Sequence, residues 1–550
     1  MFYNMPSILE LDLSNFETKN VVNMSHLFDS CYSLTSINLQ NLNTEKVLDM
    51  NSMFKNCISL IRIDLSNFIT NLVIDMSYMF DNCGSLTSLD LSNFETSNVQ
   101  NMSGMFRYCN KLNNLVISNL NTSNTKDMSN MFYLCRSLIQ LNTYNFDTKN
   151  VEDMSYMFYS CSSLQSLQVS NFITTKVKNM THMFSECNTL KSIDTIKFDT
   201  NEVMDLSYMF EGCYSLTPLY VDNFRTDKVL NMSGMFKECK LISSLDVSKF
   251  ETKNVKDMTE MFKDCESLRY LDVSRFNTGN VLDMSNLFQR CKLLERIDVS
   301  NFNTSKVKNM SGLFDECNSL TSLSLKNFDT KEVRNLSRIF KDCSSLFEAD
   351  TMEFNTGKVE DMSFMFYNCK QLRNINVKKF DTSLVTNMAN MFVSCWSINS
   401  LDMTNFNTSN VEDMSYMFNN LHNLATLDVS SFDTRKVRDM SSMFASDSGL
   451  ITLNLNNFNT ENVEYMYSMF VNDQKLNIKN FDTKNVKDMS YMFRYCELIK
   501  AFNLAHFDTS QVTNMAGMFY YCISATEFDL STFDTSQVED MNHMFFFVLQ

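Results

Sequence analysis

The sequence predicts an α/β solenoid, about twenty-one coils with a 26-residue period, each a short parallel strand plus a short helix. Three observations carry the expectation. The Phe of a Met-Phe pair recurs at Phe28, Phe54 and Phe80 and then at the same interval to Phe470, resuming at Phe493, Phe519 and Phe545 after one three-residue deletion. A Thr fills the same slot in every repeat, from Thr18 to Thr535. Around these markers the apolar spacing switches from helical to alternating within each period. Periods of this order mark arrays in which each unit buries its apolar face only against its neighbours.

The first element is the Met-rich segment. Met24, Leu27, Phe28 and Cys31 fall at i, i+3, i+4 and i+7, the inward stripe of a short helix. Asn23 precedes it, and twenty of the twenty-one repeats carry Asp or Asn there, which predicts a helix N-cap. Only Tyr465 breaks that slot. The second element is Leu34, Ile37 and Leu39, an L-x-x-L-x-L pattern whose last two residues alternate as in a strand with one buried face. Strands that return once per repeat stack in parallel, joined by a crossover long enough to hold the helix. The third element is the return corner, marked by Phe16, Leu42 or Phe68 with Thr two residues on and Val three further. A Thr hydroxyl there supplies a partner for a buried backbone group while its methyl packs.

Spacing differences set the expected shape. Strands stack about 4.8 Å apart whereas helices need about 8–10 Å, so such an array curves with its sheet on the concave side.

Thirty-six of the forty-one Met occupy the two Met slots of the D-M-S-x-M-F segment, beside Phe, and read as core. All seventeen Cys share the slot three residues after the Phe, so no two are closer than one full repeat. That spacing excludes C-x-x-C zinc and redox sites, and the odd number excludes full internal pairing, so reduced, buried thiols are expected. Leu421 in the same slot agrees with an apolar site, while Asp447 and Asp473 depart from it.

Nine Gly and two Pro in 550 residues leave no linker, so residues 1–550 read as a single tandem-repeat array with an irregular segment at 418–480. The net charge of −17 disfavours nucleic acid, polyanions and anionic membranes as partners. No basic leader and no stretch of 18 apolar residues is visible, and neither end carries a recognisable cap, which suggests a piece of something longer.

Residues 86 to 106, L-T-S-L-D-L-S-N-F-E-T-S-N-V-Q-N-M-S-G-M-F, resemble the BspA-like leucine-rich repeat surface proteins and the related repeat catalogued in mycoplasma lipoproteins. The likeness spans essentially the whole chain. It implies cell-surface or secreted adhesion to host matrix or other cell-surface proteins, and it carries over no catalytic residues. An intracellular interaction scaffold and a passive spacer are the alternative readings.

The residues offer candidate surfaces. His26, His182, His422, His506 and His543 are scattered, and no nucleophile elbow, zinc-protease, Walker or dinucleotide motif occurs. Neither an enzyme nor a cofactor is expected. The first candidate surface is the outward strand position, often acidic: Asp64 with Asp90, Asp246 with Asp272 and Asp298, and Asp402 with Asp428. Neighbouring carboxylates about 5 Å apart suit a basic partner strip, or a cation at Asp246, Asp272 and Asp298. The second is Tyr78, Tyr156, Tyr208, Tyr416 and Tyr491, of an interface-prone residue type. The third is the irregular segment, where Tyr465, Tyr467, Asp473 and Lys475 replace the usual pattern, as a kink, an interaction site or a decaying repeat.

Overall fold

In a computed structural model, residues 2–446, 450, 452–472 and 476–548 are described. Thr, Asx and turn chemistry build each coil, as residues 76–99 illustrate. Asp75 Oδ1 accepts the amide of Ser77 at 2.8 Å, opening a tight turn. From there the backbone amides alternate between two tasks. Met76, Tyr78, Phe80 and Asn82 donate to carbonyls of the next coil, on Asn101, Ser103, Met105 and Arg107, whereas Met79, Asp81 and Cys83 close turns onto residues three back.

The expected helix is therefore absent: the described residues contain thirteen short strands and no helix. The reason lies in the stacking distance. Parallel pairing ties successive coils together at about 4.8 Å, and two α-helices cannot approach within about 8 Å. The Phe80 and Phe106 rings sit 5.9 Å apart, so this side of the coil keeps nearly the same spacing as the strand side. A chain of reverse turns that shares hydrogen bonds with its neighbour fits; a helix does not. The Asx residue expected to cap the helix opens this chain of turns instead. The curvature expected from helix packing loses its ground with the helix.

Two backbone positions in each coil make the turns possible. The residues two before and two after the Phe have positive φ, for example 55° at Tyr78 and 61° at Asn82. Left-handed backbone costs a non-glycine residue roughly 1–2 kcal/mol. The four inter-coil bonds made by Met76, Tyr78, Phe80 and Asn82 offset it, at about 0.5–1.5 kcal/mol each.

The chain divides into two compact units, Met1–Asn277 and Thr278–Gln550. Each is a parallel β-solenoid. The first carries β1 (Glu10–Asp12), β2 (Ser36–Asn38), β3 (Ser88–Asp90), β4 (Asn114–Val116), β5 (Gln140–Leu141) and β6 (Ser166–Leu167). The second carries β7 (Ser322–Leu323), β8 (Glu348–Ala349), β9 (Asn374–Ile375), β10 (Thr426–Leu427), β11 (Thr452–Leu453), β12 (Ala501–Asn503) and β13 (Glu527–Asp529). Pairing is in register with the repeat, as in Leu89 opposite Leu115. A second ladder of parallel bridges runs through the Asx slot, from Asn23 to Asp257 in the first unit and from Asp283 to Asp540 in the second. Tyr465 keeps its rung between Asp439 and Asp488, so the shortened repeat returns to register here.

The core between the ladders is a set of columns. Met76, Met79, Phe80, Cys83, Leu86, Phe94 and Val99 are all buried, and their equivalents repeat along both units. The seventeen Cys carry reduced, buried thiols. Thiols along the column find backbone acceptors one coil back; Cys83 Sγ donates to the Phe54 carbonyl at 3.2 Å. The Thr column closes the corner: Thr96 Oγ1 donates to the Asn121 carbonyl at 2.9 Å and accepts the Asn121 amide at 2.8 Å. One hydroxyl thus does for the corner what a strand partner does for the sheet.

Candidate functional site

Left-handed backbone explains where the Tyr side chains go. At the slot two before the Phe, the side chain leans along the stack over the next coil. A Cβ on Gly104 would lie 2.4 Å from the Tyr78 ring, and one on Gly234 would lie 2.2 Å from the Tyr208 ring. Where the next coil carries an aromatic instead of Gly, the rings overlap like shingles. His182 lies 4.7 Å from Tyr156 and 4.8 Å from Tyr208, near parallel to both.

The neighbouring slots widen this into a continuous aromatic face in the first unit. Tyr133 stacks on Tyr159 at 4.7 Å and meets Tyr108 edge-on at 5.3 Å, and Tyr159 lies 5.7 Å from Tyr156. Cations close both ends: the Arg107 guanidinium sits 5.4 Å from Tyr78 and 5.1 Å from Tyr108, and Lys237 Nζ sits 5.6 Å from Tyr208. Arg107 is itself fixed by the buried Asp81 carboxylate at 3.0 Å.

Partial burial sets the protonation of this face. It raises the phenols of Tyr133, Tyr156, Tyr159 and Tyr208 and lowers His182, a lowering that Glu211 and Asp205 oppose. His182 Nδ1 faces Glu211 Oε2 at 3.5 Å without a hydrogen bond. Lys237 is held up despite its burial by Glu260 and Glu211.

Sequence reading picked out Tyr78, Tyr156 and Tyr208 but not Tyr108, Tyr133, Tyr159, His182, Arg107 or Lys237. The signal was present when the repeats are aligned vertically: these residues occupy only three slots, two before the Phe and one or two after it. Tyr416 and Tyr491 belong to the second unit and do not join this face. Tyr491 covers Gly517 and lies 6.1 Å from Tyr467, which is T-shaped to it. Tyr465 is exposed. Asp447, Asp473 and Lys475 lie outside the described residues.

The strand-face carboxylates have local partners. Asp64, Asp90, Asp298 and Asp428 accept the amide of the residue two on, Ser66, Ser92, Ser300 and Ser430. Asp246 and Asp272 also accept the hydroxyls of Ser248 and Ser274 at 2.6 Å. These bonds lower the carboxyls. Asp402, bonded first by Lys378 and then by Thr404, falls to about 2. Among the described residues no three His, Cys, Asp or Glu side chains form a group that could hold a metal ion. Corner chemistry thus accounts for much of the acidity: coil after coil uses Asp or Asn to open a turn.

The fold and surface define a class, a repeat solenoid of the leucine-rich-repeat kind that presents an ordered side-chain face. The chain belongs to the family described as "Mycoplasma protein of unknown function, DUF285", whose signature matches residues 1–89, 74–196, 188–296, 267–374, 344–450, 386–501 and 471–548. The resemblance of residues 86 to 106 to BspA-like and mycoplasma repeats stands with it. No curated protein matches the chain. Among solved structures it is similar to a leucine-rich cell-surface protein of Faecalibacterium prausnitzii, at 18% identity over 54% of this chain and 74% of that one, with a TM-score of 0.30. A leucine-rich repeat protein of Bacteroides ovatus matches at 16% identity over 63% and 87%, TM-score 0.30. An internalin of Listeria monocytogenes matches at 15% over 66% and 86%, TM-score 0.20. Among the described residues no helix is long and apolar enough to cross a membrane.

Proposed function

We propose that this chain is a non-enzymatic protein-binding scaffold, displayed at a cell surface or secreted, and that the aromatic face from Tyr78 to Lys237 is its contact surface. The observation that carries the reading is that face itself. Tyr and Arg dominate interface hot spots, and here stacking fixes their rotamers before any partner arrives. Ring faces are consumed by one another, so a partner meets ring edges, phenol hydroxyls and the flanking cations. That arrangement suits a protein surface better than a flat ring needing a face to stack on. Surface display follows from the resemblance to BspA-like repeats, and host matrix or cell-surface proteins are the corresponding partner class.

The test is binding of the full chain to immobilised matrix proteins and to cell-surface extracts, with calcium present or chelated. Changing Tyr133, Tyr156 and Tyr159 together to Ser is expected to weaken retention at least tenfold, corresponding to about 1.4 kcal/mol. Changing Asp246 and Asp272 to Asn is expected to leave retention unchanged with or without calcium. Equal retention of the aromatic variant would refute the assignment.

A further inference from the structure

The second unit carries a charge arrangement that the aromatic face does not explain. Along both units a column of charged side chains follows the Thr corner, and some of its cations meet an acid one coil away. Lys178 reaches Glu152 at 2.7 Å, Lys228 reaches Glu202 at 2.7 Å, Arg334 reaches Glu360 at 2.8 Å and Lys358 reaches Glu332 at 2.6 Å. Others rest on an Asn amide oxygen one coil back, Lys176 on Asn150 and Lys306 on Asn280, each at 2.7 Å.

One place concentrates the cations. The stretch Thr434-Arg435-Lys436-Val437-Arg438 puts three cations in four residues, a density no other repeat has in these slots. Lys487 joins them two rungs further along, since its amide donates to Glu464 and that of Glu464 to Arg438. The acids fall one short, with Asp433, Glu412 and Glu464 against Arg435, Lys436, Arg438 and Lys487. Glu464 is taken by Lys487 at 2.5 Å, leaving Arg438 3.8 Å away, beyond hydrogen-bonding reach. Lys436 rests on the neutral amide of Asn410 at 2.6 Å. Arg435 is turned sideways onto Asp433 of its own coil. These side chains line an open groove of about 510 Å³ together with Glu412, Glu464 and three amide side chains. The surplus of positive charge is thus concave and local, within a chain of net charge −17.

We infer that this groove binds a compact oxyanion, a phosphate or sulfate group. Two properties select a compact group over a long polyanion. At physiological salt the Debye length is about 8 Å, so a small anion in the groove feels mainly the groups lining it, four cations against Glu412 and Glu464. A polymer laid along the column would in addition cross Glu360, Glu461 and their neighbours. Arg435 and Arg438 offer planar forks suited to two oxygens, and Lys436 adds a mobile point charge. Arg435 would exchange its Asp433 contact for the ligand, and Arg438 would complete a geometry that Glu464 leaves open.

The experiment titrates the full chain with inorganic phosphate and with inorganic sulfate by calorimetry at fixed ionic strength. Saturable binding in the low millimolar range, on the order of 4 kcal/mol, is expected. The double change K436Q/R438Q should weaken it at least about fivefold. The single change K228Q in the first unit removes one exposed cation elsewhere and should leave it unchanged. All these side chains are exposed and make no core contact, and circular dichroism with Arg435→Gln as a further variant guards against a folding defect. A phosphoserine peptide bound at least tenfold tighter than its serine counterpart and than free phosphate would place the group on a partner; equal affinity to free phosphate would make the ligand a free ion. Absence of saturable binding up to about 20 mM would overturn the inference, and so would an equal loss in K228Q. This outcome is independent of the aromatic face, which lies in the other unit.

Discussion

Replacing Thr96 with Val tests the claim that the corner hydroxyl substitutes for a strand partner. The side chains are nearly isosteric, Thr96 is fully buried, and the substitution removes only the oxygen that serves both the amide and the carbonyl of Asn121. Two hydrogen bonds at about 0.5–1.5 kcal/mol each give an expected local cost of about 1–3 kcal/mol. Thr96→Ser keeps both bonds and loses one methyl, costing about 0.8 kcal/mol. A repeat array does not unfold as one two-state unit, so a global midpoint would dilute the effect. Amide hydrogen exchange resolves it: in Thr96→Val the Asn121 amide should exchange roughly tenfold to a hundredfold faster, while amides several coils away stay unchanged. If Thr96→Val and Thr96→Ser show the same exchange at Asn121, the hydroxyl is not the partner that holds the corner.

Gly104 sits under the Tyr78 ring at φ 59°, so Gly104→Ala should destabilise by about 1–2 kcal/mol through the clash and the left-handed backbone; a double-mutant cycle with Tyr78→Ala should recover the clash part and leave the backbone part. The seventeen thiols should resist an aromatic disulfide reagent in the folded chain and all react in denaturant. Burial pushes thiols such as Cys187 and Cys522 up to about 12 from an ordinary value of 9.0. Between those values the unfolded chain has lost protons that the folded chain keeps, so the stability these thiols contribute is intact below pH 9 and declines as pH rises from about 9 to 12. Chemical denaturation across that range should show the decline, and replacing both Cys187 and Cys522 with Ala should reduce its slope.

Much of each coil was legible because the same constraint is written many times. A buried corner that needs a hydroxyl explains a Thr in every repeat, and an apolar column with one acceptor per coil explains Cys at one slot. The helix was not legible from spacing alone, because inward residues at i, i+3, i+4 and i+7 also arise from consecutive reverse turns. The contrary signal was in the intervening residues. Gly104, Gly234, Gly312 and Gly517 share one slot and Gly212 occupies the other, so five of the nine Gly mark the two positive-φ positions. Asn, Ser and His recur there too, a poor choice for the middle of a helix. The aromatic face was half legible for a different reason: its members lie far apart in sequence and meet only through stacking along the axis, which a single repeat does not display. The basic groove was missed because Arg435 and Lys436 look like ordinary solvated charges until stacking brings Arg438 and Lys487 beside them with too few acids.

The hydrogen-bond ladders also bear on how such a gene changes. Because every rung offers the same donors and acceptors to the next, a whole repeat inserted or removed between two rungs presents its neighbours with the partners they already had. Unequal recombination between near-identical repeats therefore alters length without disturbing the remaining coils. The outward slots meanwhile drift one coil at a time. Such a lineage can exchange its surface piecemeal, and relatives of this chain should differ in repeat number and in their exposed aromatics and charges long before they differ at the Thr.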